Sequence, residues 1–359
     1  VRKNTLQSYF VKCAKADNTL GAIVRTQLIG AKQAHHRSAE YYQQQSSDNI
    51  RNKIFKAHNR YLSRLITAAR NASIYSYFVV YLKDFSFNLI KNEPEKAKYL
   101  LEKGTIKHTE LDTSQYGISK VYTPAIMLGS SRSLHDKDVS RFFKSLQKLV
   151  KDAKKSIYVK NPRQKSSLAN QAALRDYYNK ATYRIAFLYI LLTGARPTHG
   201  ISILSDYYSG SDIAFIKDKG RLRQLILCDY LQQEIKHYLS LQTVTRSQLN
   251  IHSELDELWY TCDEKNKPTT LTSHKLTLFM DQLWPNVIPY QLRHFFSHCA
   301  DSHMFSGKLF DNDIDRLMGH ENLGEQVGSD TLSPRRFAVM KDYLNMLPQR
   351  IGLEAFIHV

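Results

Sequence analysis

The sequence predicts a mostly α-helical protein carrying one small antiparallel β-hairpin. Apolar residues recur at helical spacing in several long stretches, and two short apolar runs flank a glycine-bearing turn. Taken in order, Ile50, Ile54, Tyr61, Leu62, Leu65, Ile66 and Ala69 fall close to a 3.6-residue stripe, which predicts a helix over 50–69. Arg51, Lys53, Lys56, Arg60 and Arg64 occupy its other face, either simply solvated or following a phosphate backbone. Residues 41–47 and 104–122 read as connections. A boundary near 129–133 separates a helical N-terminal region, 1–133, from a second region, 134–359. There Asp136 or Asp138 is placed to cap an amphipathic helix over 139–150, and the basic stretch 151–165, with its Asn161-Pro162, reads as an exposed loop. Ala181, Ile185, Leu188 and Leu192 give a helix one face to bury, and Gly194 ends it. Residues 211–216 and 222–227 read as strands. The turn between them spans 217–221, where Gly220 tolerates positive φ and Asp218 favours turns. A helix returns over 231–239.

Composition narrows the function. At 359 residues the chain is long enough for two domains. Lys and Arg number 51 against 33 Asp and Glu, a formal net charge of +18, which points to a polyanionic partner and to nucleic acid before an anionic membrane. No apolar run approaches the ~18–20 residues of a membrane-crossing helix. Cys13, Cys228, Cys262 and Cys299 are scattered and form no CxxC pair, so neither disulfides nor a zinc finger is expected. With no signal-peptide pattern at residue 1, the expected location is cytoplasmic, nucleoid-associated in a bacterium. Neither GxxxxGK[ST] nor GxGxxG occurs, and no cofactor is expected.

The second region also carries an ordered set of motifs. Residues 190–200 read I-L-L-T-G-A-R-P-T-H-G, presenting a guanidinium just past a helix end. The lysine-bearing hairpin follows, then Y-Q-L-R-H at 290–294 and L-M-G-H at 317–320. In this order the set resembles the catalytic domain of the tyrosine recombinases, or phage-type integrases. The likeness runs from about Asp136 to the C-terminus. It implies an α/β catalytic domain behind a helical N-terminal domain that clamps DNA. The implied partner is duplex DNA, bound by a dimer or tetramer. The implied activity is site-specific recombination or integration in a mobile element.

Enzymes of that family cut one strand at a time by attack on a phosphodiester, leaving the phosphate esterified to the protein. Charge grows on the non-bridging oxygens, so preorganised cations are the main requirement. By resemblance, Arg196 and Arg293 supply them, each planar and permanently charged. Lys219 protonates the leaving 5′-oxygen, with Lys217 as its rival should the hairpin register shift. His320 donates a hydrogen bond to a phosphate oxygen. Tyr290 stands where the family usually has histidine, and a phenol there is a donor but a poor base. The nucleophile is the larger departure. No tyrosine lies in 321–334, and the first one downstream of His320 is Tyr343, within an expected helix. Either Tyr343 attacks, or a hydroxyl of Ser329, Thr331 or Ser333 does, or the protein binds DNA without cutting it, as a regulator or accessory subunit. For Tyr343 the alternative is helix packing.

His294, His298, His303 and Cys299 fall at near-helical spacings, but Phe295 occupies the place of a zincin's glutamate, so no metal is expected. The apolar stretch 351–359 reads as a segment docking on a neighbouring subunit or as the last core helix. A different class of reading, an RNA-binding protein using exposed aromatic stacking, remains beside these.

Overall fold

The computed structural model describes residues 4–17, 19–30, 44–71, 127–130, 132, 134–157, 168–198, 201–218, 220–252, 255–300, 309, 311–319 and 334–356. Of the expectations above, the connection at 104–122, Lys219, His303, His320, Ser329, Thr331 and Ser333 lie outside them. The molecule is mostly helical, and among the described residues the strands pair as short antiparallel couples. By its internal contacts the chain divides into two units, Val1–Ser131 and Arg132–Val359.

In the first unit, α1 (Thr5–Ala16) and α2 (Ala22–Ile29) pack with α3 (Ser47–Asn71), and β1 (Gln44–Ser46) pairs with β2 (Met127–Gly129). Of the stripe expected over 50–69, Ile50 and Tyr61 lie on the inner face of α3 and Ile54 packs partly against it, while Leu62, Leu65 and Ile66 are only half-buried. Ile50, Ala57 and Tyr61 are buried with Ala14, Leu20, Ile23 and Val24. Arg25 donates to the carbonyls of Ala14, Asp17 and Leu20, tying the end of α1 and the loop that follows it to α2. Arg60 serves neither expected role alone, because it reaches back to Asp17 at 2.5 Å. Burial by itself would raise the Asp17 carboxyl. Hydrogen bonds from Thr19, Arg60 and Tyr61 outweigh that and hold it down at about 2.

The second unit is built around α5 (Leu168–Thr193). It is flanked by α4 (Asp136–Ser156), α6 (Asp229–Leu249), α8 (Tyr290–Ala300) and α10 (Pro334–Arg350). One buried face was expected of α5. Instead 185–192 is buried on every side, because helices and the short pair β5 (Thr261–Cys262) and β6 (Pro268–Thr269) surround it. Such a helix cannot be amphipathic, and polar groups within it need partners. Arg184, 3% exposed, meets Glu234 of α6 at 2.5 Å. Thr182, Tyr178 and Tyr238 close a hydroxyl chain at 2.9 Å per link.

Several sequence expectations shift by a turn. α4 begins at Asp136, capped by His135 without a side-chain bond, and Asp136 pairs with Arg350 rather than capping. Residues 151–156, expected in a loop, continue the helix, since Val150 and Ala153 extend its buried face. The hairpin strands β3 (Ile213–Asp218) and β4 (Arg221–Ile226) include Lys217, Asp218 and Arg221, leaving a tighter turn than expected. The C-terminal stretch continues no helix beyond Arg350. It lies on its own chain, with Phe356 N donating to Glu234 Oε1 at 3.0 Å and Tyr230 OH to Glu354 O at 2.9 Å. α7 (Ser273–Leu283), α9 (Asp311–Met318) and a short 3-10 helix (Ser205–Tyr207) complete the described elements.

Two outcomes follow from these ion pairs. Glu234→Gln leaves the Arg184 guanidinium buried without its counter-charge, and calorimetry or urea unfolding should show a loss of about 3–5 kcal/mol. Asp17 has a depressed carboxyl, so its contribution is present above the unfolded value of about 4 and lost as pH falls toward 2. The urea-midpoint gap between the wild type and Asp17→Asn should therefore close across that window and stay constant at neutral pH.

Candidate functional site

α5 ends at Thr193 because Gly194 turns the chain with φ +62°, its N–H still bonded to Ile190 O at 3.0 Å. Thr193 Oγ1 accepts the next N–H, from Ala195, at 3.2 Å. Glycine is required here twice over. Besides the left-handed φ, a Cβ would stand 2.7 Å from the Phe296 ring of α8. This close approach of helix end to helix lets Arg293 of α8 donate to Gly194 O. Arg196 leaves the same turn two residues later.

The hairpin supplies the counter-charge. On β3, Ala214, Ile216 and Asp218 share the buried face, and on β4 Arg223 and Leu225 share theirs. Asp218 thus points inward with the apolar residues of its strand. Arg196 Nη1 donates to Asp218 Oδ2, and Arg223 Nη1 lies 3.5 Å from the same oxygen. Arg223 Nη2 donates to Leu317 O, while Arg293 Nη2 donates to Met318 O at 2.5 Å. These are consecutive carbonyls at the C-terminal end of α9, which lack helical donors and carry its negative dipole end. The chain of contacts runs from Arg196 through Asp218, Arg223 and the end of α9 to Arg293, and returns to the Gly194 turn.

One carboxylate therefore serves two guanidiniums, with a third close by. Burial, and next the Arg293 charge, push the Arg223 guanidinium down to about 9, which still leaves it cationic at neutral pH. Tyr189 lies alongside, its phenol raised by burial and then shifted in opposite senses by Arg223 and Asp218. Among the described residues Tyr189 OH, Asp218 Oδ1 and Arg223 Nε make no hydrogen bond. Three guanidiniums against one carboxylate, with Tyr189 OH and Arg223 Nε as unsatisfied donors, suit an oxyanion, and low polarity strengthens such a contact. Among the described residues, no group of His, Cys, Asp or Glu is arranged to hold a metal ion.

The structure places Arg196 and Arg293 in one cluster on either side of Arg223; Arg196 is nearly buried on Asp218, and Arg293 is wholly buried with both terminal nitrogens on backbone carbonyls. Tyr290 sits one turn before Arg293 on α8, half-buried, its ring 5.5 Å from that of His294. Lys217 is exposed on β3, and Lys219, next in sequence after Asp218, lies outside the described residues. Gly319, immediately before His320, has φ +62°, and a Cβ there would meet Arg223 Nε at 2.6 Å. Tyr343, the expected nucleophile, is a core residue in this conformation. It is wholly buried, its OH donates to Phe296 O at 2.8 Å, and burial raises its phenol well above the ordinary value. A phenol so placed keeps its proton and presents no surface to a DNA phosphate. Its role here is to support the helix that carries Arg293.

Asp218 and Arg223 were missed by sequence reading, the first taken for a turn residue and the second for part of a strand. The signal was their phase. Charged residues on the apolar side of an alternating strand are either mispaired or neutralised by one another.

The close packing at 319 is testable in urea. Gly319→Ala should lower stability by about 1–3 kcal/mol, and by more than Gly220→Ala, since position 220 shares a positive φ but its Cβ meets nothing within 4 Å. Equal losses would mean that Arg223 yields freely. Compared with known proteins, the chain matches no protein-family model, no curated protein and no solved structure.

Proposed function

We propose that this protein acts on duplex DNA as a recombinase-type strand transferase, with Arg196 and Arg293 gripping one backbone phosphate. The observation that carries the reading is that the turn after α5 and helix α8, far apart in sequence, place Arg196 and Arg293 on either side of Arg223, with Asp218 holding Arg196 and Arg223. Two guanidiniums on one phosphate match the charge that grows in phosphoryl transfer. The neighbours of the remaining expected groups support the same reading. Asp218, next to Lys219, is bonded within the cluster, and Gly319, next to His320, lies against Arg223. The net charge of +18 favours a polyanionic substrate. Tyr343 would have to leave its buried position to attack phosphorus: its phenol loses a proton to water as the Tyr–O–P bond forms, and the bond from phosphorus to the 5′-oxygen breaks as that oxygen takes a proton from Lys219. The assembly would be a homo-oligomer on paired sites.

A second reading is favoured by one observation, the burial of Tyr343 against Phe296. In it the same cluster binds a phosphate without cutting, and the protein acts as a regulator or accessory subunit.

A trapping experiment separates the two. Duplexes enriched by binding selection are nicked to make suicide substrates and incubated with wild type, Tyr343→Phe and Arg196→Ala. Strand transfer gives a covalent adduct that Tyr343→Phe abolishes and that Arg196→Ala slows by about 10²–10³. Tight binding without an adduct supports the second reading. In either case Arg196→Ala and Arg293→Ala should each flatten the salt dependence of binding by about one phosphate contact. Unchanged slopes in folded variants overturn both.

A further inference from the structure

α4 carries a second feature that the arginine cluster does not use. Lys137, Arg141, Lys144, Lys148, Lys151 and Lys155 recur at alternating spacings of four and three, so they form one stripe along the helix. All six are exposed. Over 18 residues the stripe runs about 27 Å. The opposite face is fixed in the core by Val139, Phe142, Phe143, Leu146, Val150 and Ala153, so the stripe is held outward on a rigid support.

Carboxylates of α4 do not cancel it. Asp138 pairs with Arg141 at 3.3 Å and Asp152 with Lys155 at 3.1 Å, both near the ends. Asp136 is taken by Arg350 at 2.8 Å. Lys144, Lys148 and Lys151, in the middle, have no carboxylate partner among the described residues. An open groove of about 590 Å³ lies along the N-terminal half, where Ser140 and Ser145 stand between Lys137, Arg141, Lys144 and Lys148. Hydroxyl donors interleaved with cations are the set that holds phosphate and sugar oxygens.

We infer that this groove and stripe form a second DNA-contacting surface, which tracks the sugar–phosphate backbone of a duplex away from the reacting phosphate. The inference rests on the reading above only in taking duplex DNA as the partner. Charge complementarity selects that occupant. A stripe of about 27 Å is as long as roughly eight base-pair steps of duplex axis at ~3.4 Å each, so its cations can meet phosphates where the backbone crosses it. An anionic membrane is a poorer fit, because the apolar face of α4 is committed to the core and cannot insert. Contacts of this kind position the duplex without reading its sequence.

The test uses the full chain and the triple variant Lys144→Gln/Lys148→Gln/Lys151→Gln, whose exposed positions and similar helix propensity keep the fold. A control, Lys236→Gln/Lys265→Gln/Lys267→Gln, removes equal charge from exposed positions elsewhere in the same unit. Binding to a random-sequence duplex is measured against salt. The stripe variant should flatten the slope by about two to three and weaken binding on the order of tenfold or more near physiological salt, while the control changes little. Equal losses in both variants overturn the inference, since only total charge would matter. Wild-type-like binding by the stripe variant overturns it while leaving the arginine cluster's role intact. Loss of binding to phosphatidylserine-containing vesicles, with duplex binding unchanged, assigns the surface to membrane and also overturns it. A wild type that binds no duplex at low salt sinks the functional reading itself, and this surface with it.

Discussion

A single buried carboxylate organises the second unit's candidate site. Asp218 is 6% exposed and holds Arg196 and Arg223 together. Two guanidiniums at close range repel strongly where water is scarce, and without the shared oxygen neither would stay inside. From that contact the rest follows. Arg223, fixed on one side by Asp218, reaches the end of α9 on the other, and Arg293 reaches the adjoining carbonyl. The Gly194 turn then closes the circuit by lending its own carbonyl to Arg293. The hairpin, two helices and two helix ends are joined through charge and backbone rather than through apolar packing alone.

The apolar scaffold sets where this happens. α5 is buried on every side, so its C-terminal end opens into the interior, and a residue presented two positions beyond it starts from a low-polarity setting. The same burial demands internal partners elsewhere along the helix, which the Arg184–Glu234 pair and the tyrosine chain with Thr182 provide. One long helix thereby carries a structural ion pair near its middle and a chemically disposed one at its end. What separates them is shape. Glu234 meets Arg184 through two nitrogens, whereas Asp218 divides a single oxygen between two arginines.

Much of this was legible in the residues. Helical stripes located α3 and α4, Gly194 marked the end of α5, and the paired apolar runs marked the hairpin, because each depends on local periodicity or on a backbone angle that glycine alone adopts easily. Arg196 and Arg293 were legible as candidates from their motifs. Their actual partners were not, since Asp218 and the carbonyls of α9 become neighbours only through long-range packing. The all-round burial of α5 was hidden for a similar reason: a helix enclosed by neighbours has no polar face to give periodicity. Tyr343 shows the limit most clearly. Its position after the L-M-G-H motif suggested chemistry, yet Leu344 and Leu347 beside it already described a packed face, and the structure buries all three.

The occupancy of Arg196 by a carboxylate has a consequence for any ligand. An incoming phosphodiester does not meet a vacant cation. It competes with a tethered anion that is always present at high local concentration. Affinity at this position is then a difference between two oxyanions, one of them built into the chain. Weak or singly anchored anions, such as free chloride or a stray carboxylate, are turned away. A ligand that also engages other parts of the surface is the kind that can prevail over it.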